Sequence, residues 1–154
     1  MKNVSIRQSV ESALYGWLVS SFGSADEFAG VTLTKGQTSK EITMPLASAL
    51  CTNAEEIEVP GLGIFKASAS IVLMTTVDAG QSPAEAQRAA NDALHRARAD
   101  VVANRLEDLP GFRSALSSTN QIFVYGVDLG KSQHEVVERH FVDRFDLTIM
   151  CRCA

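Results

Sequence analysis

Residues 64–77 read IFKASASIVLMTTV, an alternation with period two that persists for the length of a long β-strand. Phe65, Ala67, Ala69, Ile71, Leu73, Thr75 and Val77 fall on one side, while Lys66, Ser68, Ser70 and Thr76 fall on the other. Within it, Ile71-Val72-Leu73-Met74 is apolar on both sides, which a sheet wetted on one face does not require. Working outward, 78–83 (DAGQSP) ends the strand and starts a helix. Ser82 stands at the N-cap, Pro83 at the first helical position and Glu85 at the third. That helix is expected to run to about Glu107. The stripe Ala86, Ala90, Ala93, Leu94, Ala97 and Val101 is expected to pack closely on a sheet. Arg88, Asp92, Arg96 and Asp100 alternate in sign at four-residue steps on a solvated face.

Before the strand, Val10, Leu14, Trp17 and Leu18 recur at i, i+4, i+7 and i+8, predicting an amphipathic helix. Ser5 is a possible N-cap, and the end is expected near Phe22-Gly23. Residues 23–41 read as a loop holding a short strand at 31–34. Two short extended segments follow at 42–50 and 55–59. Pro45, lacking an amide donor, puts the first at an edge or breaks it. Residues 60–63 are a turn. Leu109-Pro110-Gly111 is expected to break the long helix, with one extra turn at 112–116. A strand is expected at 121–127, a turn at 128–131, and a long last strand at 135–151. On that strand Val137, Phe141, Phe145, Leu147, Ile149 and Cys151 would share a face, opposite Glu138, His140, Arg144, Asp146 and Thr148. This order predicts one α+β domain over 1–154, with an antiparallel-rich mixed sheet and an N-terminal helix and one long helix packed on it.

The chain has 154 residues with 45% hydrophobic and 21% charged, enough to bury roughly two thirds of its unfolded surface. No apolar run approaches the ~20 residues of a bilayer span. Arg7, Gln8 and Glu11 interrupt any signal-peptide core. A net charge of −4 without a basic block argues against a nucleic-acid-coating surface. The three cysteines, Cys51, Cys151 and Cys153, read as reduced thiols, too few and too badly spaced for structural zinc.

No reacting constellation is legible. In 134–140 (HEVVERH) the two histidines are six apart, where a zinc-peptidase helix needs four, and position 138 is glutamate. On one strand they would lie roughly 20 Å apart, so both read as surface histidines. Gly61-Leu62-Gly63 precedes a strand, the reverse of a phosphate-cradling loop. No nucleophile elbow occurs. The expectation is therefore no catalytic residue, no cofactor, no metal and no enzymatic activity. The long strands suggest pairing with a neighbouring subunit, with Val72, Met74, Val142 and Arg144 as candidate strand-interface residues.

The central strand closing on Thr-Thr-Val-Asp (residues 65–78), the long helix after Pro83 with the short turn at 109–116, and the ending at 137–151 together resemble small virion proteins of tailed bacteriophages. The pattern is similar to that of tail-terminator (tail-completion or neck) proteins. The resemblance spans about three quarters of the chain and rests on element order, with no residue-level motif. It implies a homo-oligomeric, hexameric ring, without cofactor, that ends tail-tube growth and joins the tail to the head connector. Its partners would be the tail-tube protein and connector or neck proteins, with DNA passing through the lumen unbound and no membrane involved. Its location would be the virion tail or neck, after assembly in the host cytoplasm. Acidic residues in predicted loops, Asp26, Glu27, Glu55, Glu56 and Glu58, are the candidate lumen or interface positions. Two alternatives stand beside it: another neck or tail-tube component, and a small intracellular ligand-binding or regulatory domain.

Overall fold

The computed structural model describes residues 2–36, 44–57, 63–77, 84–119 and 121–153. The elements follow the order α1 (Lys2–Phe22), a 3-10 turn (Asp26–Phe28), β1 (Thr32–Lys35), β2 (Leu46–Glu56), β3 (Phe65–Thr76), α2 (Ala84–Glu107), α3 (Leu109–Ser117), β4 (Ile122–Val137) and β5 (His140–Cys153). The strands form one five-stranded mixed sheet in the order β1-β2-β3-β5-β4. Only β1 and β2 run parallel; every other pair is antiparallel. The fold is α+β, as the sequence predicts.

Strand β3 is the centre of the sheet because its alternation suits a helix-covered side. Phe65, Ala67, Ala69, Ile71, Leu73 and Thr75 are buried there. On the outer side Val72 and Met74 are half-buried and Lys66 and Ser68 are exposed. Helix α1 lays Ile6, Val10, Ala13, Leu14, Trp17, Leu18 and Phe22 into the core, one continuous helical stripe. Its C-terminal end closes in aromatic contacts. The Trp17 ring meets those of Phe22 and Phe112 edge-on at 5.2 and 4.8 Å, and Phe22 stacks on Phe28 at 4.7 Å. Glu11 turns its carboxylate onto the Cys51 amide at 2.9 Å. Pro45 and Ala49 turn their backbone groups toward β1, whose pairing ends at Lys35, so the Glu11 side chain supplies the acceptor for the next amide on that side.

Several expectations need correction. Helix α1 begins at Lys2, so Ser5 lies within it. The two segments expected around 42–50 and 55–59 are, over the described residues, one strand, β2; it starts just after Pro45, which removes the conflict between proline and an interior ladder. Glu55 and Glu56 therefore lie on a strand, not in a loop, whereas Glu58 lies outside the described residues, as do Ser82, Pro83 and the turns at 60–62 and 78–83. The extra turn after α2 is the nine-residue helix α3, capped by Asp108 accepting from the Gly111 amide, with Pro110 in its first turn, where no amide is needed.

Two errors are larger. Most of the small-residue stripe of α2 faces away from the sheet: Ala86, Ala90 and Ala93 are exposed and Leu94 is 51% exposed, while Ala97 is half-buried and Val101 packs against the core. The buried face is His95, Arg98, Ala99, Val102 and Leu106. The chain also does not turn at 128–131. β4 runs through those residues with a bulge between Leu129 and Ser132, where a Cβ on Gly130 would meet Asp146 backbone at 3.1 Å. The reversal comes at Glu138-Arg139, both at positive φ (50° and 153°). Hence 134–140 is no single strand; His134 lies on β4 and His140 on β5. Val137 leaves the expected face of the last strand, and Asp143 joins its buried residues.

Candidate functional site

The corrected hairpin and the corrected face of α2 meet at one place. His95, a fully buried residue of α2, lies between Thr75 of β3 and Asp143 of β5. Its Nδ1 is 2.8 Å from Thr75 Oγ1, and its Nε2 is 2.8 Å from Asp143 Oδ1. His134 of β4 stands directly across the ladder from Asp143, and its Nδ1 reaches the same oxygen at 2.5 Å. The register explains the meeting. Asp143 pairs with Leu73 on one side and His134 on the other, so both point to the helix-bearing side where His95 descends. The two imidazole rings are 6.0 Å apart, with Phe141 5.8 Å from His95.

Burial alone would raise the Asp143 carboxyl. The hydrogen bonds from His95 and His134, with their charge, outweigh it and hold the carboxyl below its ordinary value. Among the described residues, no buried side-chain nitrogen or oxygen is left without a partner. Arg98, one turn along α2, donates from Nε to the Glu27 carbonyl at 2.8 Å, and burial lowers its guanidinium from its ordinary value.

A hydroxyl, an imidazole and a carboxylate in line suggest a nucleophile relay, but Thr75 is buried and no acyl substrate can approach it. What the arrangement can do is tie α2 to the strands β3, β4 and β5 and bring two imidazole nitrogens onto one carboxylate oxygen. Beside it, a cleft of about 420 Å³ is lined by Glu85, Arg88, Asp92, Arg96, His134 and Phe141, among others, with Arg96 held by Asp92 at 3.0 Å.

The second feature is the outer strand. Among the described residues β4 pairs only with β5. Its first part is covered by α3, where the Val124 amide donates to Ser117 Oγ and Arg113 donates to the Tyr125 carbonyl, while every residue from Asp128 to Val137 is exposed. Val136 and Val137 are 53% and 43% exposed, and Leu129 is exposed as well. Four clefts follow this strand in sequence: at Phe123–Tyr125 against α3, at Gly126–Asp128, at Leu129–Ser132 against the end of α2, and at His134 and Val136. On its exposed side near the start, Phe123 meets Tyr125 edge-on at 5.2 Å, with the Arg152 guanidinium over the Phe123 ring at 5.3 Å.

Val72 pairs with Arg144 and Met74 with Val142, so the four candidate interface residues form one patch on the open face of the sheet. They lie on interior strands whose edges are already bonded, so they offer a face and no free edge. The acidic candidates do not converge. Asp26 and Glu27 are exposed on the 3-10 turn beside Arg98, whereas Glu55 pairs with Lys66 near the far end of β2. Sequence reasoning missed His95, Asp143 and the role of His134. Ala99, Val102 and Leu106 follow a helical stripe that, continued back one turn, lands on His95 and Arg98.

No protein-family model matches this chain, and the curated proteins hold no match to it.

Proposed function

We propose that this chain is a structural virion protein, a tail-terminator or neck ring subunit that ends tail-tube growth and joins the tail to the head connector. The observation that supports the reading is the β4 edge. Over its exposed part, 128–137, this strand has no second ladder partner among the described residues, and such an edge is a ready template for another chain. The resemblance in element order supplies the kind of assembly. In this account the β4–β5 hairpin of one subunit lies over the open sheet face of the next, where Val72, Met74 and Val142 are half-buried. Such a contact joins different patches on the two copies, so repetition closes a ring if the rotation allows. The protein acts by shape, not by chemistry, and DNA passes without being bound.

The test is to add the purified chain to growing tail tubes and to head connectors, imaged by negative stain. Rings should be seated on the ends of tubes, which stop lengthening. A Val136→Asp/Val137→Asp variant, folded by circular dichroism, should form no rings and leave the tubes growing. A wild-type chain that stays monomeric and leaves tube length unchanged would overturn the proposal. A chain that is found along the tube wall, and not at its end, would instead make it a tube component.

A further inference from the structure

We infer that His95, His134 and Asp143 form a binding site for a single divalent transition-metal ion of zinc's class. Among the described residues these side chains offer three ligand atoms, His95 Nε2, His134 Nδ1 and a carboxylate oxygen, within 4.8 Å of one another. Zinc bound to nitrogen and carboxylate oxygen at ~2.0–2.2 Å spaces tetrahedral ligands roughly 3.3 Å apart, so the ion would replace the shared protons, lengthen the two contacts to Asp143 and draw the half-exposed His134 toward His95. Two imidazoles and one carboxylate, with no thiolate, suit zinc, cobalt or iron(II) and disfavour the harder calcium.

Three further observations point the same way. Thr75 holds the Nδ1 of His95, so the ring is oriented from behind with Nε2 facing Asp143, the outer support that metal-binding histidines ordinarily have. The three ligands come from α2, β4 and β5, each fixed by helix packing or by the ladder, so their separation is set by the fold. Finally, both imidazoles are directed at one oxygen of Asp143, although His134 has solvent within reach. A tie between α2 and the sheet needs His95 alone; convergence of the second imidazole is what a shared cation requires. The cleft beside His134 provides entry and leaves a fourth coordination position open to water. The site does not depend on the ring reading, because every ligand belongs to one subunit.

The test uses the whole chain after dialysis against a chelator, titrated with Co²⁺ alone and then with Zn²⁺. The expected result is one Co²⁺ per chain with visible d–d absorption, displacement by Zn²⁺, and a melting temperature raised by about 5 °C or more in excess metal. Thiolate-to-metal charge transfer should be absent. His134→Ala and His134→Gln should each weaken Co²⁺ binding by about 100-fold or more while leaving the metal-free melting temperature within about 2 °C. Absence of binding, equal binding by the His134 variants, or a thiolate charge-transfer band placing the metal at a cysteine would each overturn the inference.

Discussion

Cys51 and Cys151 lie on the helix-facing side of the sheet, and burial pushes their thiols up, to about 11 and about 12. The Glu11 carboxylate adds to the effect at Cys51, as the neighbouring thiols do at Cys151. Cys153 is exposed. A disulfide-exchange reagent at neutral pH should therefore label one thiol per chain quickly and the other two only after unfolding; fast labelling of two or three would contradict the burial described here. The same shifts fix a pH dependence. Because the folded thiols ionise above their ordinary value of 9.0, the unfolded chain loses these protons first as pH rises. Their contribution is complete below pH 9.0 and declines as pH climbs toward 11 and 12. Denaturant titrations across that window should show falling stability, with a shallower fall in a Cys51→Ala/Cys151→Ala chain. Residue by residue, the apolar side of the core was legible, since Val10, Leu14, Trp17 and Leu18 are all buried as their spacing requires. The polar anchors were not. A reading of α2 that counts apolar residues selects Ala86, Ala90 and Ala93, because nothing in composition says that His95 and Arg98 will find partners in Thr75, Asp143 and the Glu27 carbonyl.

Elements were legible where they carry their own punctuation. Strand β3 and helix α2 have long, regular patterns, and both stand within about two residues of their expected bounds. The β4–β5 hairpin carries misleading punctuation. Asp128-Leu129-Gly130-Lys131 has the composition of a turn, yet its glycine serves a bulge that lets the chain pass close to Asp146. The true reversal at Glu138-Arg139 has neither glycine nor asparagine, although both residues adopt positive φ. Replacing them by Asn and Gly should relieve that strain and raise unfolding free energy by about 1 kcal/mol in denaturant titrations. An unchanged or lower stability would mean that the side chains present contribute more than the backbone loses. Helix α3 is held by burial of Phe112 against Trp17 and of Leu116 in the core. Phe112→Ala should cost about 3–5 kcal/mol, measured in the same way, because it empties a site between α1 and the sheet. A cost under about 1 kcal/mol would show that α3 is not part of the cooperative core.

For the molecule as a whole, two features stand outside what a self-contained domain of this size needs: the exposed outer strand over 128–137 and, among the described residues, a converging set of imidazoles and carboxylate. The first was not legible, because Asp128-Leu129-Gly130-Lys131 reads as a turn that ends the strand after about seven residues, whereas β4 runs on to Val137. Nor was the second, because its members are separated by 39 residues at the nearest helix-to-strand step and meet only through the register of β5 with β3 and β4. The ring is the central claim, and its mass is the direct measure. Native mass spectrometry of the purified chain, alone and with tail tubes, should give a species near six copies of 16.6 kDa, about 100 kDa, lost in the Val136→Asp/Val137→Asp variant. A single 16.6 kDa species under both conditions would contradict the account.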